Sequence, residues 1–384
     1  MTVSATAQKS TRYETTLKFW TRIEQFFKHR LLRFLETFLG QSQIDPEQLD
    51  HVHIKNILVI RTHDQLGDFL LSTPVFKALK EKFSDSSITV IAHAYTTPLV
   101  QNHPYVNAVL TFHEDFRNWS VPYAFYLFKG LYKKYDLVVV LNTVSHSLTS
   151  DLIACFSRAP YVLGTDHLLF AGTRRNFFYN LVAPIYKESA RHQSRRNLDI
   201  VNYIGADTCD LHEYMYITKQ ERNAAQTILN KLGIDLDKKI LAIHPGAGKI
   251  KNRWPVDNYA ALVGKCLDEM DVQIFITWGP SEAGLGHSLL SRIDRKTYHA
   301  TFPCIRDLGA VLSLMDCFIC NDTGVMHLCA AVGTPLVSIF GPTDPSQWKP
   351  WGQEFVAVRS ASRNCANVSV DVVYKECKHL LKKS

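Results

Sequence analysis

The first forty residues carry apolar positions at helical spacing. Trp20, Ile23, Phe27, Leu31, Phe34 and Phe38 recur every three or four residues, with Lys18, Arg22, Lys28, Arg30 and Arg33 between them. That pattern predicts an amphipathic basic helix over residues 16–39, suited to lie in a membrane interface with its aromatic face in lipid, with docking on the protein's own surface as the alternative. Residues 40–50 then form a polar linker. From residue 54 the pattern changes to short continuous apolar runs: Lys55–Ile60, Ile88–His93 and Leu137–Leu141. Between them lie helical stretches from Asp68 to Phe83 and around Thr97–Asn102. Strands that are apolar throughout, alternating with helices, predict a parallel sheet covered on both faces.

Residues 186–235 are polar and helical in character, with a basic cluster at Arg191, Arg195 and Arg196. The pattern then restarts. Strands are predicted at Lys239–His244, Val272–Trp278, Cys317–Cys320 and Pro335–Phe340, the last of them, with helices at Val256–Met270, Asp307–Met315 and from Gly324. The expected organisation is therefore α/β: two Rossmann-like, doubly wound domains facing a central cleft. The segments are 1–50, the N-terminal helix and linker; 51–215, the first Rossmann-like domain; and 216–384, the second. In such sheets ligands bind beyond the carboxyl ends of the strands.

Length and composition fit that organisation. The 384 residues suffice for two domains, and 46% hydrophobic with 21% charged residues is ordinary for a globular chain. The formal net charge of +7 favours anionic partners. No run of 18 uncharged apolar residues predicts a membrane span, and the start of the chain lacks a signal-peptide pattern. The expected location is the cytoplasm, peripheral on the inner face of the inner membrane. The nine cysteines are expected as free thiols. Cys317 and Cys320 form C-x-x-C, but on a strand they would face opposite ways, and no second pair accompanies them at zinc spacing.

Four strand-end loops carry the candidate chemistry. Arg61-Thr-His-Asp-Gln-Leu-Gly67-Asp68 places a carboxylate where a helix begins, where the free N–H groups favour its ionised form. Such a carboxylate can accept a proton from an attacking hydroxyl; a plain helix cap is the simpler alternative, and Asp64 and His63 are rival bases. In the second loop, His244–Pro255, Gly246 and Gly248 let amides approach a phosphate, while Lys249, Lys251 and Arg253 supply charge. In the third, Asn321-Asp322-Thr323-Gly324-Val-Met-His327, a helix opens at a strand end with its amides free for an anion. The fourth, Phe340–Pro345, is a fixed turn.

Together these loops resemble glycosyltransferase family 9, the lipopolysaccharide heptosyltransferases. Arg61, Gly67, Asp68, Thr73 and Pro74 match the family's opening pattern. His244–Ala247 with Arg253–Pro255, the segment from Asp322 to Pro335, and Phe340–Pro345 match its later motifs in order. The resemblance covers residues 54–352 and implies a GT-B fold and an inverting, metal-independent transfer, with heptose from ADP-heptose as the expected donor group and a lipid-linked, lipopolysaccharide-core-like glycan as acceptor. Asp68 resembles the catalytic base. Gly246, Lys249, Lys251, Arg253, Glu282, Asp322, Thr323, Gly324 and His327 fall to the donor side, Glu282 as a candidate for the ribose. Arg61, Arg191, Arg195 and Arg196 fall to the acceptor side. Neither a metal nor another cofactor is expected, and no nucleic acid. Asn252 departs from the pattern, because many members carry Lys there. A nucleotide-sugar epimerase on the same scaffold and a non-catalytic nucleotide-sugar or glycan-binding protein remain the alternatives.

Overall fold

A computed structural model describes Arg30, Phe34 and residues 36–62, 65–143, 147–166, 176–186 and 190–383. Most of the amphipathic stretch 16–39 lies outside the described residues, as do the rival bases His63 and Asp64.

Two six-stranded parallel sheets are built to one plan. The first contains β1 (Asn56–Arg61), β2 (Ser87–His93), β3 (Ala108–Phe112), β4 (Leu137–Val140), β5 (Tyr161–Thr165) and β6 (Leu181–Ala183), in the order 3-2-1-4-5-6. The second contains β7 (Ile240–His244), β8 (Gln273–Thr277), β9 (Tyr298–Ala300), β10 (Cys317–Asn321), β11 (Leu336–Phe340) and β12 (Phe355–Arg359), in the order 9-8-7-10-11-12. Read from the edge, the two orders are the same. The strand order reverses between β1 and β4 in one sheet and between β7 and β10 in the other, which fixes a ligand crevice at each point.

The central strands are buried at every position, as their uninterrupted apolar sequence requires. Cys317 and Cys320 on β10 fall in separate core clusters on opposite faces of the sheet, and all nine cysteines are free.

The helices of the first half are α1 (Leu66–Leu70), α2 (Pro74–Lys82), α3 (Thr97–Val100), α4 (Val121–Leu131), α5 (Leu148–Phe156) and α6 (Gln193–Asn202). Those of the second half are α7 (Lys219–Leu232), α8 (Val256–Glu269), α9 (Ala283–Leu290), α10 (Ile305–Leu312), α11 (Gly324–Ala331), α12 (Pro345–Trp348) and α13 (Val370–Lys383). The single helix expected over 68–83 is two. Pro74 has no N–H to continue α1, and the Ser72 and Thr73 hydroxyls bond back to the Phe69 and Leu70 carbonyls at 2.6 and 2.8 Å. Likewise 186–235 holds two helices with an extended link between them. Pro335–Phe340 is not the final strand: β12 follows and α13 closes the chain.

One buried cluster runs without a break from the first sheet through Leu211 and Met215 of the link to α10 and α11. Arg306 of α10 ties the halves further. Its guanidinium holds Glu221 and donates to the Pro98 carbonyl of the first half at 2.7 Å. That pairing with Arg306 holds the Glu221 carboxyl well down, at about 2.

Candidate functional site

The two crevices open onto one cleft of about 590 Å³, lined from the first half by Gln65, Leu66, Gly67, Asp68 and Tyr95, and from the second by Lys249, Asn252, Asp322, Thr323, Gly324 and His327 among others. The walls approach closely because two glycines face each other. A Cβ on Gly67 would lie 2.6 Å from His327 Cδ2, and one on Gly324 would lie 3.1 Å from Leu66 Cβ. Helices α1 and α11 therefore cross with almost nothing between them, and Asp68 comes to face the start of α11.

Asp68 is the third residue of α1, whose first turn it makes acidic. One carboxylate oxygen, Oδ1, is enclosed without a hydrogen-bond partner. Behind it lies Arg61, the last residue of β1, only 2% exposed. Its guanidinium donates to the Leu141 carbonyl and, at 3.1 Å, to the Asp68 carbonyl. Arg61 is thus a buried brace beneath the loop, absent from the cleft lining, in contrast to the expected contact. Burial lowers its pKa, and the nearby Asp68 charge partly offsets this.

The opposite wall is laced together by amides. Asn321, fully buried at the end of β10, donates to the Pro245 and Gly246 carbonyls at 2.8 and 3.0 Å and accepts from the Trp254 N–H at 2.9 Å. It fixes the whole 245–254 loop. Asn252 donates to Asp322 Oδ2 at 2.9 Å, and its own Oδ1 is buried without a partner. Thr323 stands at the N-cap of α11 with no side chain capping the helix. The leading amides of α11 therefore remain available, in a field that favours an anion.

Of the basic residues, Lys249 lines the cleft. Lys251 is exposed and absent from the lining. Arg253 donates to the Ala247 carbonyl at 2.7 Å, bracing the loop. Gly246 packs against Glu282, where an added Cβ would lie 2.0 Å from the carboxylate. Glu282 also takes the Gly279 N–H at 3.0 Å and pairs with His244 Nε2 at 3.3 Å. Burial alone would raise its pKa, but His244 first, then the Gly279 amide and Arg253, bring it below the usual value. Beside Glu282, a second hollow of about 590 Å³ is lined by Trp278, His287, His299 and Phe302 among others. The His299 ring stacks on Trp278 at 5.6 Å.

His327 lies in the cleft lining but its ring is mostly spent on structure. Nδ1 meets the buried Glu213 carboxylate at 2.9 Å. Burial pulls its pKa down, yet Glu213, with Asp322 and Asp68, outweighs burial and raises it. Arg191, Arg195 and Arg196 are not brought to the cleft. Arg191 pairs with Asp199, Arg195 with Asp207 at 2.8 Å, and Arg196 donates to the Arg191 carbonyl at 3.2 Å. Arg196 borders a separate small hollow with Tyr186 and Asp199.

Sequence reasoning missed Glu213, Tyr95 and Arg306, and named Asn321 within its loop without giving it a role. Asn321 carried a signal, as a polar residue ending an apolar strand just before a helix start. Among the described residues, no three His, Cys, Asp or Glu side chains converge as metal ligands would.

Twin doubly wound domains, with a lone carboxylate on one wall and free helix amides on the other, define a glycosyltransferase architecture of GT-B type. The chain belongs to glycosyltransferase family 9 (heptosyltransferase), whose model matches residues 124–378. Lipopolysaccharide heptosyltransferase 3 of Escherichia coli is 26% identical over 300 residues, spanning 76% of this chain and 85% of that protein. A glycosyltransferase family 9 structure from Veillonella parvula superposes with a TM-score of 0.76 at 19% identity, covering 86% of this chain and 98% of that one. The E. coli heptosyltransferase WaaC, solved with ADP, gives 0.65 at 19% identity, covering 85% and 99%. At that identity the structures speak for the fold. Family membership supports glycosyl transfer over the epimerase and binding-only alternatives.

Proposed function

We propose that this glycosyltransferase moves heptose from ADP-heptose to a hydroxyl of a lipid-linked, lipopolysaccharide-core-like acceptor, with inversion at the anomeric carbon. The observation that carries the reading is the Asp68 oxygen, enclosed and unpartnered, in the same cleft as the uncapped start of α11. A buried carboxylate oxygen calls for a hydrogen-bond donor. An acceptor hydroxyl supplies the missing donor.

In the scheme, the acceptor oxygen attacks the anomeric carbon as its proton passes to Asp68. The bond from that carbon to the diphosphate oxygen breaks, and the diphosphate leaves with the bonding pair. The Thr323–Gly324 amides, the α11 dipole and Lys249 meet its charge. The scheme draws on no cofactor. The base enters the hollow of Trp278, His299 and Phe302, with Glu282 beside the ribose. Two observations support the nucleotide assignment: a relative of the same fold was solved with ADP, and the second hollow is apolar and aromatic, as pockets for flat heterocycles are. The reading places this work at the cytoplasmic face of the inner membrane; among the described residues no helix is long and apolar enough to cross a membrane.

Calorimetry against ADP, UDP, GDP and CMP tests the donor, followed by transfer from ADP-heptose with the product anomer read by NMR. The expected result is an affinity for ADP at least tenfold above the others and an inverted product. Preference for another nucleotide, or a retained configuration, overturns the reading.

A further inference from the structure

Helix α4 is apolar on two faces, and only one of them is used. Leu127 and Leu131 face inward on β3 and its neighbours. Tyr123 and Tyr126 pin the helix to the β3 edge through the Thr111 and Val109 carbonyls at 2.8 and 2.9 Å. Val121, Phe125, Phe128 and Tyr132 recur at spacings of four, three and four, so they form a second stripe along the outside. Their exposures are 85, 69, 50 and 69%. Phe156, at the end of the neighbouring α5, is exposed as well. Scattered surface apolar residues need no explanation, but a continuous aromatic stripe does.

Along the helix itself the charge has one sign, with Glu114 and Asp115 in the loop before it. Residues 120–135 contain Lys129, Lys133 and Lys134 and no acid, and all three lysines are exposed. The Arg158 guanidinium sits 5.6 Å from the centre of the Tyr132 ring. We infer that the outer face of α4, from Val121 to Tyr132 with Lys129, Lys133, Lys134 and Arg158, is a docking surface for an anionic lipid bilayer. Aromatic side chains enter the interface while the flanking cations meet the headgroups. Charge argues for this occupant over the two rivals. Two copies of the stripe placed face to face would oppose lysine to lysine. Residues 16–39 carry Lys18, Arg22, Lys28, Arg30 and Arg33 against Glu24 and Glu36, so that segment is no complement to a basic patch either. One anionic surface complements both.

The placement suits a lipid-linked acceptor, yet it is independent of which sugar is transferred. Helix α4 follows β3 and starts at the carboxyl edge of the first sheet, the edge that carries Asp68. A bilayer against the stripe thus lies on the acceptor's half of the molecule.

Flotation of the full-length protein with vesicles of phosphatidylglycerol and phosphatidylethanolamine, against phosphatidylcholine alone, tests the surface without reference to activity. Strong binding is expected only to the anionic vesicles. Combined Phe125→Ser, Phe128→Ser and Tyr132→Ser should weaken it at least tenfold, with Tm and ADP affinity unchanged. Combined Lys129→Gln, Lys133→Gln and Lys134→Gln should weaken it and flatten its dependence on salt. The inference is overturned if the triple-serine protein floats like the parent, which would give the contact to residues elsewhere or show the stripe covered by its own chain. Equal binding to phosphatidylcholine overturns it too, as does a dimer in sedimentation that the serine substitutions dissolve.

Discussion

The two halves share a strand order and differ in what their strand ends do with hydrogen bonds. At the end of β7, His244 is paired with Glu282; at the end of β10, Asn321 spends its whole amide on the 245–254 loop. At the end of β1, Arg61 also spends its guanidinium on backbone, but the residue it braces keeps a free oxygen. The second half is a rigid cradle whose side chains are tied so that its amides can be open. The first half supports one carboxylate whose oxygen is enclosed and unpartnered. Rossmann-like topology dictates where such loops fall; the residue types decide whether a loop binds or reacts.

The sharpest way to break that comparison is to remove the one group on which the first half depends. Asp68→Asn keeps the volume and loses the base, so turnover should fall by about a thousandfold, within the range for general-base catalysis. ADP affinity should stay within a few-fold, because the cradle is untouched. Steady-state kinetics beside calorimetry reads both. If turnover persists, Asp68 is not the base and the division of labour between the halves fails.

The next largest effect lies where the halves meet. Glu213 comes from the link, His327 from α11, and the imidazole backs onto Gly67. Folding raises the His327 pKa above the ordinary 6.5, because the facing carboxylates outweigh burial. The folded state therefore holds that proton more tightly than the unfolded chain does. The resulting stabilisation is complete below about pH 6.5 and is lost as pH rises through the folded-state value. Burial also raises Glu213, which pulls in the same direction. Glu213→Gln should cost about 3 kcal/mol at pH 6, as breaking a buried pair does, and less at pH 9. Melting curves across that range check it; parallel pH profiles for parent and variant would show that the pair carries no linkage.

These contacts also mark the limit of what the sequence discloses. The central strands β1, β4, β7 and β10 were legible because a strand buried on both faces must be apolar throughout, and the loops because each needs glycine, proline or a helix start at a fixed offset. The interior β5, whose apolar run ends at Gly164, was not, and neither were the edge strands β3, β6, β9 and β12. Burial on them is incomplete, as in β12, where only Phe355 and Val358 are buried, and β9 is three residues long. Short, half-covered segments give weak periodicity. Arg306 and Glu213 were hidden for another reason: their partners Pro98 and His327 lie 208 and 114 residues away in the chain. Arg61 shows the converse. Its type and position suggested a ligand contact, and only burial reveals a brace.

The smallest expected effect concerns position 252, where this chain departs from the lysine that many members of its family carry. Asn252 is buried at the cleft wall, gives one N–H to Asp322 and leaves its own oxygen unpartnered. An amide there aligns Asp322 without adding charge, so in the proposed scheme the diphosphate falls to the α11 amides and to exposed Lys249. Asn252→Lys would set a cation between Asp322 and the phosphates. Its charge is shared with the carboxylate, so the gain in ADP affinity should be no more than about tenfold, roughly 1.4 kcal/mol, and should shrink as salt rises. Calorimetry at two ionic strengths measures it. A larger, salt-insensitive gain would mean that the parent cradle is incomplete rather than charge-poor. A loss would mean that the Asn252–Asp322 bond positions the carboxylate for the sugar, so that the second half, too, keeps one group fixed for the reaction.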